Sequence, residues 1–379
     1  MKRWLPLFLL LPLLLSGCGL RKVYSHMERL RVIQTMGIDA REPGLRLTLA
    51  AAAGDRSGSD AVCLSADGSD LSSALERAES LSTEESLFCG HTRQLLVGDG
   101  IALEPLLRQI ARSSDLRLDM PLYLLRDARA EELMNSSGSG NRGIGEILDA
   151  VQAELDRRCD SRLFTARQIL RDEQRQGSAL LCALRASDAA ENENSAVDER
   201  APETEKARTA ALGGFAVLRD GEICAWLDRE ELLGISLLRN GFRSHEIRLE
   251  DRNGQSAVLE ISEGQSRLKP VWNPEGQLSG LDIRVTVGAS LLESEQAELS
   301  EPYVNDLTAK LEAAVSEALR GLLTRSKNLQ ADFLGLGPRV EDASPLAWRQ
   351  MDTAFPALLP KLEISLSVQG TLRHSNDLA

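Results

Sequence analysis

Apolar positions along this chain recur with two different periods, and each change of period marks a change of element. Val32-Ile33-Gln34-Thr35-Met36-Gly37-Ile38-Asp39 and Leu45-Arg46-Leu47-Thr48-Leu49 are strand-like runs on either side of Pro43-Gly44, which predicts a hairpin. From Ser69 to Leu81 the period changes: Leu71, Ala74, Leu75, Ala78 and Leu81 recur at three and four, the spacing of one helical face, with Ser69 or Asp70 in front as N-cap. A strand over Gly90 to Val97, a helix over Ile101 to Ala111 and a strand over Met120 to Leu125 follow. Beyond a Ser/Gly loop from Asn135 to Asn141, Ile144, Ile147, Leu148, Val151 and Leu155 line another helix. Phe164 to Leu170 predicts a short helix and Ala179 to Leu184 a strand.

Ser187 to Thr209 breaks the pattern, being rich in Glu, Asp, Asn and Ala with almost nothing bulky to bury, so it reads as an exposed loop or linker. Gly213 to Leu218 and Ile223 to Leu227 then flank Arg219-Asp220-Gly221-Glu222, and Asp-Gly between apolar runs is a strong hairpin signal. Asp228 caps a helix through Leu238, with Glu230 and Glu231 in its first turn. Four strand-like runs come next, Glu246 to Leu249, Ala257 to Ile261, Arg267 to Trp272 and Leu281 to Leu292. They are separated by turn residues at Asn253-Gly254, Glu263-Gly264 and Asn273-Pro274-Glu275-Gly276 and predict an antiparallel meander.

The longest helix begins after Ser300 and Pro302, and Val304, Leu307, Leu311, Val315, Ala318, Leu319 and Leu322 make one apolar stripe opposite Glu312, Glu317 and Arg320. A sheet just upstream is its nearest partner. A short helix over Pro345 to Asp352 and a strand over Leu362 to Val368 end the pattern. The fold class is therefore α+β, with sheets and packed helices and a C-terminal antiparallel meander plus long helix. The expected division is residues 18–186 as an N-terminal α/β domain, 187–210 as the acidic segment, 211–245 as a small hairpin-helix domain and 246–379 as the C-terminal domain.

Residues 1–17 stand apart. Lys2 and Arg3 precede an apolar run from Trp4 to Leu15, and Leu15-Ser16-Gly17-Cys18 resembles the lipobox of bacterial lipoproteins. A membrane span takes roughly 20 apolar residues; this run is shorter and is interrupted by Pro6 and Pro12. The resemblance makes residues 1–17 an export signal and Cys18 the mature N-terminus, its sulfur carrying a diacylglyceryl group. Two acyl chains anchor stably where one binds marginally, at about 0.8 kcal/mol per buried methylene.

Composition narrows the partners. The formal charge of −13 falls by two more when Lys2 and Arg3 leave with the signal, which argues against nucleic acid. Aromatic residues are 4% of the chain, little material for a sugar- or base-stacking surface. With Cys18 lipidated, Cys63, Cys89, Cys159, Cys182 and Cys224 form an odd set without C-x-x-C or a Cys/His ladder at zinc spacing, which reads as mostly buried thiols, with one disulfide an open alternative.

Catalytic signatures are missing: there is no G-x-S-x-G, H-E-x-x-H, Walker A or G-x-G-x-x-G motif, and His26, His91, His245 and His374 are scattered. His91 lies beside Cys89 but reads as a structural histidine at a strand start. The carboxylate pairs Glu84-Glu85, Glu131-Glu132 and Glu230-Glu231 are neighbours in sequence, and neighbours on a helix do not face each other, so they read as solvated helix starts. Asp332, in Ala331-Asp332-Phe333-Leu334-Gly335-Leu336-Gly337, reads as the brace of a tight turn. No catalytic, cofactor or metal residue is assigned.

Lys327 to Gly337, followed by Trp348 and Ala354-Phe355-Pro356, resembles the C-terminal signature of the Ger(x)C family, the lipoprotein C subunits of GerA-type spore germinant receptors. Met36-Gly37-Ile38-Asp39 is similar to that family's first strand, Phe88 to Gly98 to its Gly-His-Thr strand, and Gly213 to Leu227 to its Phe-x-x-Asp-x-x-x-x-Trp-Leu hairpin. Where the family commonly has Trp-Asp-Arg after the lipidated Cys, this chain has Gly19-Leu20-Arg21. The resemblance implies a non-enzymatic, elongated subunit of three mixed α/β domains without cofactor, assembling with integral membrane A- and B-type subunits on the outer face of the inner spore membrane to sense nutrients and trigger germination. It leaves a small-molecule site on this subunit open. The competing readings are a solute-binding lipoprotein of a transporter, which predicts two similar α/β lobes, and a cell-wall hydrolase lipoprotein, which predicts an acid/base or metal constellation.

Overall fold

The computed structural model describes residues 30–51, 63–82, 85–136, 143–188, 208–294, 300–351 and 355–373. Nine strands form the first sheet: β1 (Leu30–Ala40), β2 (Leu45–Ala51), β3 (Cys63–Gly68), β4 (Ser86–Phe88), β5 (Gln94–Val97), β6 (Leu122–Arg126), β7 (Ser178–Asp188), β8 (Arg208–Arg219) and β9 (Glu222–Leu227). Their order is β3-β2-β1-β5-β6-β7-β8-β9, with β4 beside the start of β1. The centre, β1-β5-β6-β7, is parallel, and the flanks are antiparallel hairpins. Both predicted hairpins form, and Asp220 and Gly221 take the positive φ values, 52° and 85°, that a two-residue primed turn requires.

Helices cover both faces of this sheet. On one lie α1 (Leu71–Leu81), α2 (Leu103–Arg112) and α5 (Ala166–Gln176), whose apolar residues share a core with Leu95, Val97, Leu122, Leu124, Ala179 and Leu181. On the other lie α3 (Ala130–Ser136), α4 (Ile144–Arg158) and α6 (Leu232–Leu238), in one core with Leu96, Tyr123, Leu125, Leu180 and Cys182. Successive residues of a strand point to opposite faces, so strands buried on both sides read as unbroken apolar runs. Asp70 caps α1 by accepting from Ser73 N at 2.8 Å, and Ser73 returns a bond to the backbone of Asp70.

Three expectations change here. The strand predicted over Gly90 to Val97 is a 3-10 turn, Cys89–His91, followed by the shorter β5. The short helix predicted over Phe164 to Leu170 is a 3-10 turn, Ser161–Phe164, and then α5, which runs to Gln176 from a Thr165 cap. Glu131-Glu132, read only as a helix start, opens helix α3, which runs on through Ser136 into the stretch read as a loop. The acidic segment lies outside the described residues between 189 and 207, and its flanks are sheet neighbours: β7 and β8 pair from Ser178↔Arg219 out to Asp188↔Arg208.

The second sheet has the order β10 (His245–Glu250), β11 (Ser256–Trp272), β12 (Leu278–Ser294) and β13 (Glu363–Arg373). The first three strands form the expected antiparallel meander, while β13 joins β12 in parallel. Glu263-Gly264, expected as a turn, lies inside β11 at a register shift after Ile261. A Cβ on Gly264 would stand 2.5 Å from both Leu237 Cδ2 and Phe242 Cδ1, so glycine serves close packing there and not chain reversal. Helix α7 (Glu301–Leu329) buries the predicted stripe of Leu307, Leu311, Val315, Leu319 and Leu322 against Leu259, Ile261, Leu281, Ile283 and Val285. The core of α3, α4 and α6 continues without a break into this second sheet.

Candidate functional site

Cys18 lies outside the described residues, as do His26 and His374. Among the described residues no helix is long and apolar enough to cross a membrane, and no group of three or more His, Cys, Asp or Glu side chains is placed to hold a metal ion. Cys159 and Cys182 are buried free thiols, Cys89 is buried, and Cys224 is free and exposed. Burial pushes Cys159 up to about 12 and Cys182 well above the usual thiol range, so both stay protonated and unreactive. His91 is exposed, its ring tilted 5.2 Å from that of Phe88. His245, half-buried at the start of β10, is pushed down to about 4 by desolvation first and by the charges of Arg158 and Arg229 second.

The structure gives two of the resemblance-bearing motifs a common device, a buried aspartate that starts a helix. In the first, Asp39 at the end of β1 accepts from Ala130 N at 2.7 Å and from Glu131 N at 2.8 Å, closing the first turn of α3. Two glycines make room for it. A Cβ on Gly37 would meet Met134 Sδ at 2.5 Å, so α3 docks directly on β1, and a Cβ on Gly98 would meet Asp39 Oδ1 at 2.1 Å. Burial raises the Asp39 carboxyl against the pull of its two N–H donors.

Beside Asp39 opens a cleft of about 480 Å³ lined by Ala40, Arg41, Glu42, Arg46, Arg129 and Glu131. Arg46 is held in it by a bidentate pair with Asp67, Nε and Nη2 donating at 2.7 and 3.3 Å, and by Nη1, which donates to both oxygens of Glu131 at 2.8 and 2.9 Å, while Asp67 also pairs with Arg41 at 3.2 Å. Charges of both signs line the cleft, and Arg41, Arg46 and Glu131 among them are already joined in one network through Asp67. Such an arrangement suits recognition of a polar molecule. It does not suit acid/base chemistry, because both oxygens of its most buried carboxylate are taken by amides.

In the second, Asp332 is fully buried and accepts from Leu336 N at 2.8 Å and Gly337 N at 2.6 Å, starting α8 (Leu336–Ala343). Burial pushes its carboxyl up to about 7 despite those donors. A Cβ on Gly337 would stand 2.8 Å from Trp348 Cη2 and 3.1 Å from Phe355 Cδ1, and the Trp348 and Phe355 rings pack at 5.5 Å. The scattered signature Asp332, Gly337, Trp348 and Phe355 is thus one packed knot. Asp332 braces a turn, as its sequence setting predicted.

Around this knot runs a polar seam that the sequence did not reveal. Arg239 pairs with Asp172 of α5 and donates to Phe333 O at 3.1 Å, and Asp172 also accepts from Gln168 Nε2 at 2.7 Å. Arg339 of α8 donates to Leu238 O at 3.0 Å and to Ser266 Oγ at 2.8 Å, and Arg175 pairs with Glu341. These bonds tie a helix of the first sheet to the elements that cover the second. The one available sequence signal was Asp172 itself, a carboxylate on the buried face shared by Ala166, Ile169 and Gln176.

A model of the spore germination protein N-terminal domain matches residues 24–181, and a model described as spore germination B3/GerAC-like, C-terminal, matches residues 213–376. Among solved structures, the chain is similar to the GerBC protein at 14% identity, over 89% of this chain and 96% of that one, with a TM-score of 0.53; at that identity the likeness concerns the mixed α+β fold. No curated protein matches the chain.

Proposed function

The chain belongs to the spore germination B3/GerAC-like family, and from that premise we propose that it is the lipid-anchored C-type subunit of a spore nutrient germinant receptor. The observation that carries this reading is the pair of family domains in order along the chain, with the C-terminal signature packed as one knot around Asp332. The chemistry of the described residues supports a role in binding and assembly. Of the buried aspartates, Asp39 and Asp332 are occupied by backbone amides and Asp172 by Arg239 and Gln168, and the Cys159 and Cys182 thiols are held protonated.

In this reading, Cys18 carries the lipid that holds the domains on the outer face of the inner spore membrane, beside integral membrane A- and B-type subunits. Tethering raises the local concentration of the subunit near those partners and strengthens otherwise modest contacts. Deleting the chain abolishes germination to one class of nutrient while growth stays normal; a deletion strain that germinates normally to every nutrient overturns the proposal. Cys18→Ala leaves the domains folded and lowers receptor function, and undiminished function in a verified unlipidated variant would remove the anchor from the mechanism.

A further inference from the structure

Strand β13 is one of the two edges of the second sheet, and among the described residues the only strand it pairs with is β12. Natural edge strands are commonly short or guarded by Lys, Pro or a bulge; β13 has eleven residues, neither Lys nor Pro, and unbroken register with β12. Helix α7 runs beside it in the opposite direction: Glu312 accepts from Gly370 N at 2.8 Å, and Lys327 Nζ donates to Leu362 O at 2.8 Å. The Gly370 bond shows which backbone groups face away from β12. By alternation along the strand, those of Ile364, Leu366 and Val368 face the same open side.

Between the outer face of α7 and Val368 lies a cleft of about 790 Å³. Its helical wall is self-complementary under reversal. Glu317 and Arg320 lie equally far on either side of a point between Ala318 and Leu319, and Glu312 and Arg325 straddle the same point. Small residues fill the places between, with Ala313 matched by Thr324 and Ser316 by Gly321. Strand β13 has the same property about Val368, with Glu363 at one end and Arg373 at the other. The two midpoints lie near one another, since Val368 lines one cleft with Ser316 and Gly321.

We propose that this face is the interface for a second copy of the chain, related by a two-fold axis that passes between Val368 and the middle of α7. Reversal about that axis sets each Glu317 opposite Arg320 of the second copy, and each Glu363 opposite Arg373. It also brings the two β13 edges together antiparallel, with Gly370 N exchanging its bond to Glu312 for Leu366 O of the second copy, so that the two four-stranded sheets continue into one. A two-fold interface must match itself in this way. Glu317 and Arg320 are both exposed and have no ion-pair partner among the described residues, so they gain most from the contact; Arg325 already pairs with Glu231 at 2.7 Å and Arg373 with Glu263 at 2.9 Å. The small side chains let two α7 helices approach closely. The proposal concerns self-association and stands independently of the receptor reading.

The test is sedimentation equilibrium of the full chain in density-matched mild detergent. The wild type sediments at twice the chain mass. Glu317→Arg and Arg320→Glu each set like charges against one another twice per dimer and weaken association about tenfold or more. The double variant Glu317→Arg/Arg320→Glu restores the pairing and the dimer. Both sites are exposed, so unchanged circular dichroism and Tm confirm that each variant is folded. A wild type still monomeric at roughly 100 μM, weaker than a functional homodimer requires, overturns the proposal and leaves the face to a different partner. A dimer indifferent to both single reversals, or a double variant no better than the singles, also overturns it.

Discussion

In the nine-stranded sheet, Leu180 and Leu181 point into opposite cores and both are fully buried. In the four-stranded sheet, Val285 is buried while its neighbours Arg284 and Thr286 stand in water. Both sheets draw on the same apolar residue types, but the first has helices on two faces and the second on one. Two-sided burial concentrates stability and leaves little surface to offer. One-sided burial leaves a polar face, a free edge and a helix whose outer side is available for contact. Both regions nonetheless use a buried aspartate to start a helix, Asp39 for α3 and Asp332 for α8.

The contrast can be broken most directly in the first sheet. Phe215 is fully buried and stacks on Phe164 at 5.2 Å, so Phe215→Ala costs about 3–5 kcal/mol in urea unfolding. Thr286→Ala, on the bare face of the second sheet, costs about 0.5 kcal/mol or less; equal losses at the two sites would erase the distinction.

At the junction between the sheets, the folded chain holds His245 neutral down to about pH 4, whereas the ordinary value is 6.5. Between those values the unfolded chain binds more protons, so stability falls as pH drops through the window, by up to about 3 kcal/mol. Asp332 acts in the opposite sense, because its raised carboxyl favours the folded state at lower pH. The check is therefore the difference between the wild-type and His245→Gln stability curves: the difference opens below pH 6.5, and parallel curves would refute it.

Gly337→Ala drives a methyl into Trp348 and Asp332 and costs about 2 kcal/mol, with a changed near-UV signal from Trp348. A neutral outcome would show that the knot yields more readily than the first sheet. A smaller effect, above only that of Thr286→Ala, belongs to Asp39→Ala, which removes the bonds to Ala130 N and Glu131 N and costs about 1 kcal/mol. Hydrogen exchange at those two amides should quicken while β1 stays protected.

What was legible in the sequence was whatever neighbouring residues decide among themselves. The Asp220-Gly221 turn, the Asp70 cap of α1 and the stripe on α7 all follow from spacings of a few residues. The extent and the cap of helix α3 were missed, beyond the helix start read at Glu131-Glu132, because it has only seven residues and its cap, Asp39, lies about ninety residues upstream. Glu263-Gly264 was misread because a glycine needed for close packing looks, in sequence, like a glycine needed for a turn. Of the candidate site, Asp332 could be placed as a brace, while Asp172 and Arg239 could not be paired, since nothing local joins them.

By itself the sequence determined the periodicity of each element, most of their boundaries and the mixed α+β class, because backbone preference and one-sided burial act over a turn of helix or a pair of strand residues. Tertiary structure alone decided that β13 joins β12 in parallel, that Asp39 and Asp332 each serve a helix beyond their own segment, and which side of α7 stays open. Those outcomes depend on which surfaces meet after the elements have formed, and the free energy of that meeting resides in contacts between residues far apart along the chain.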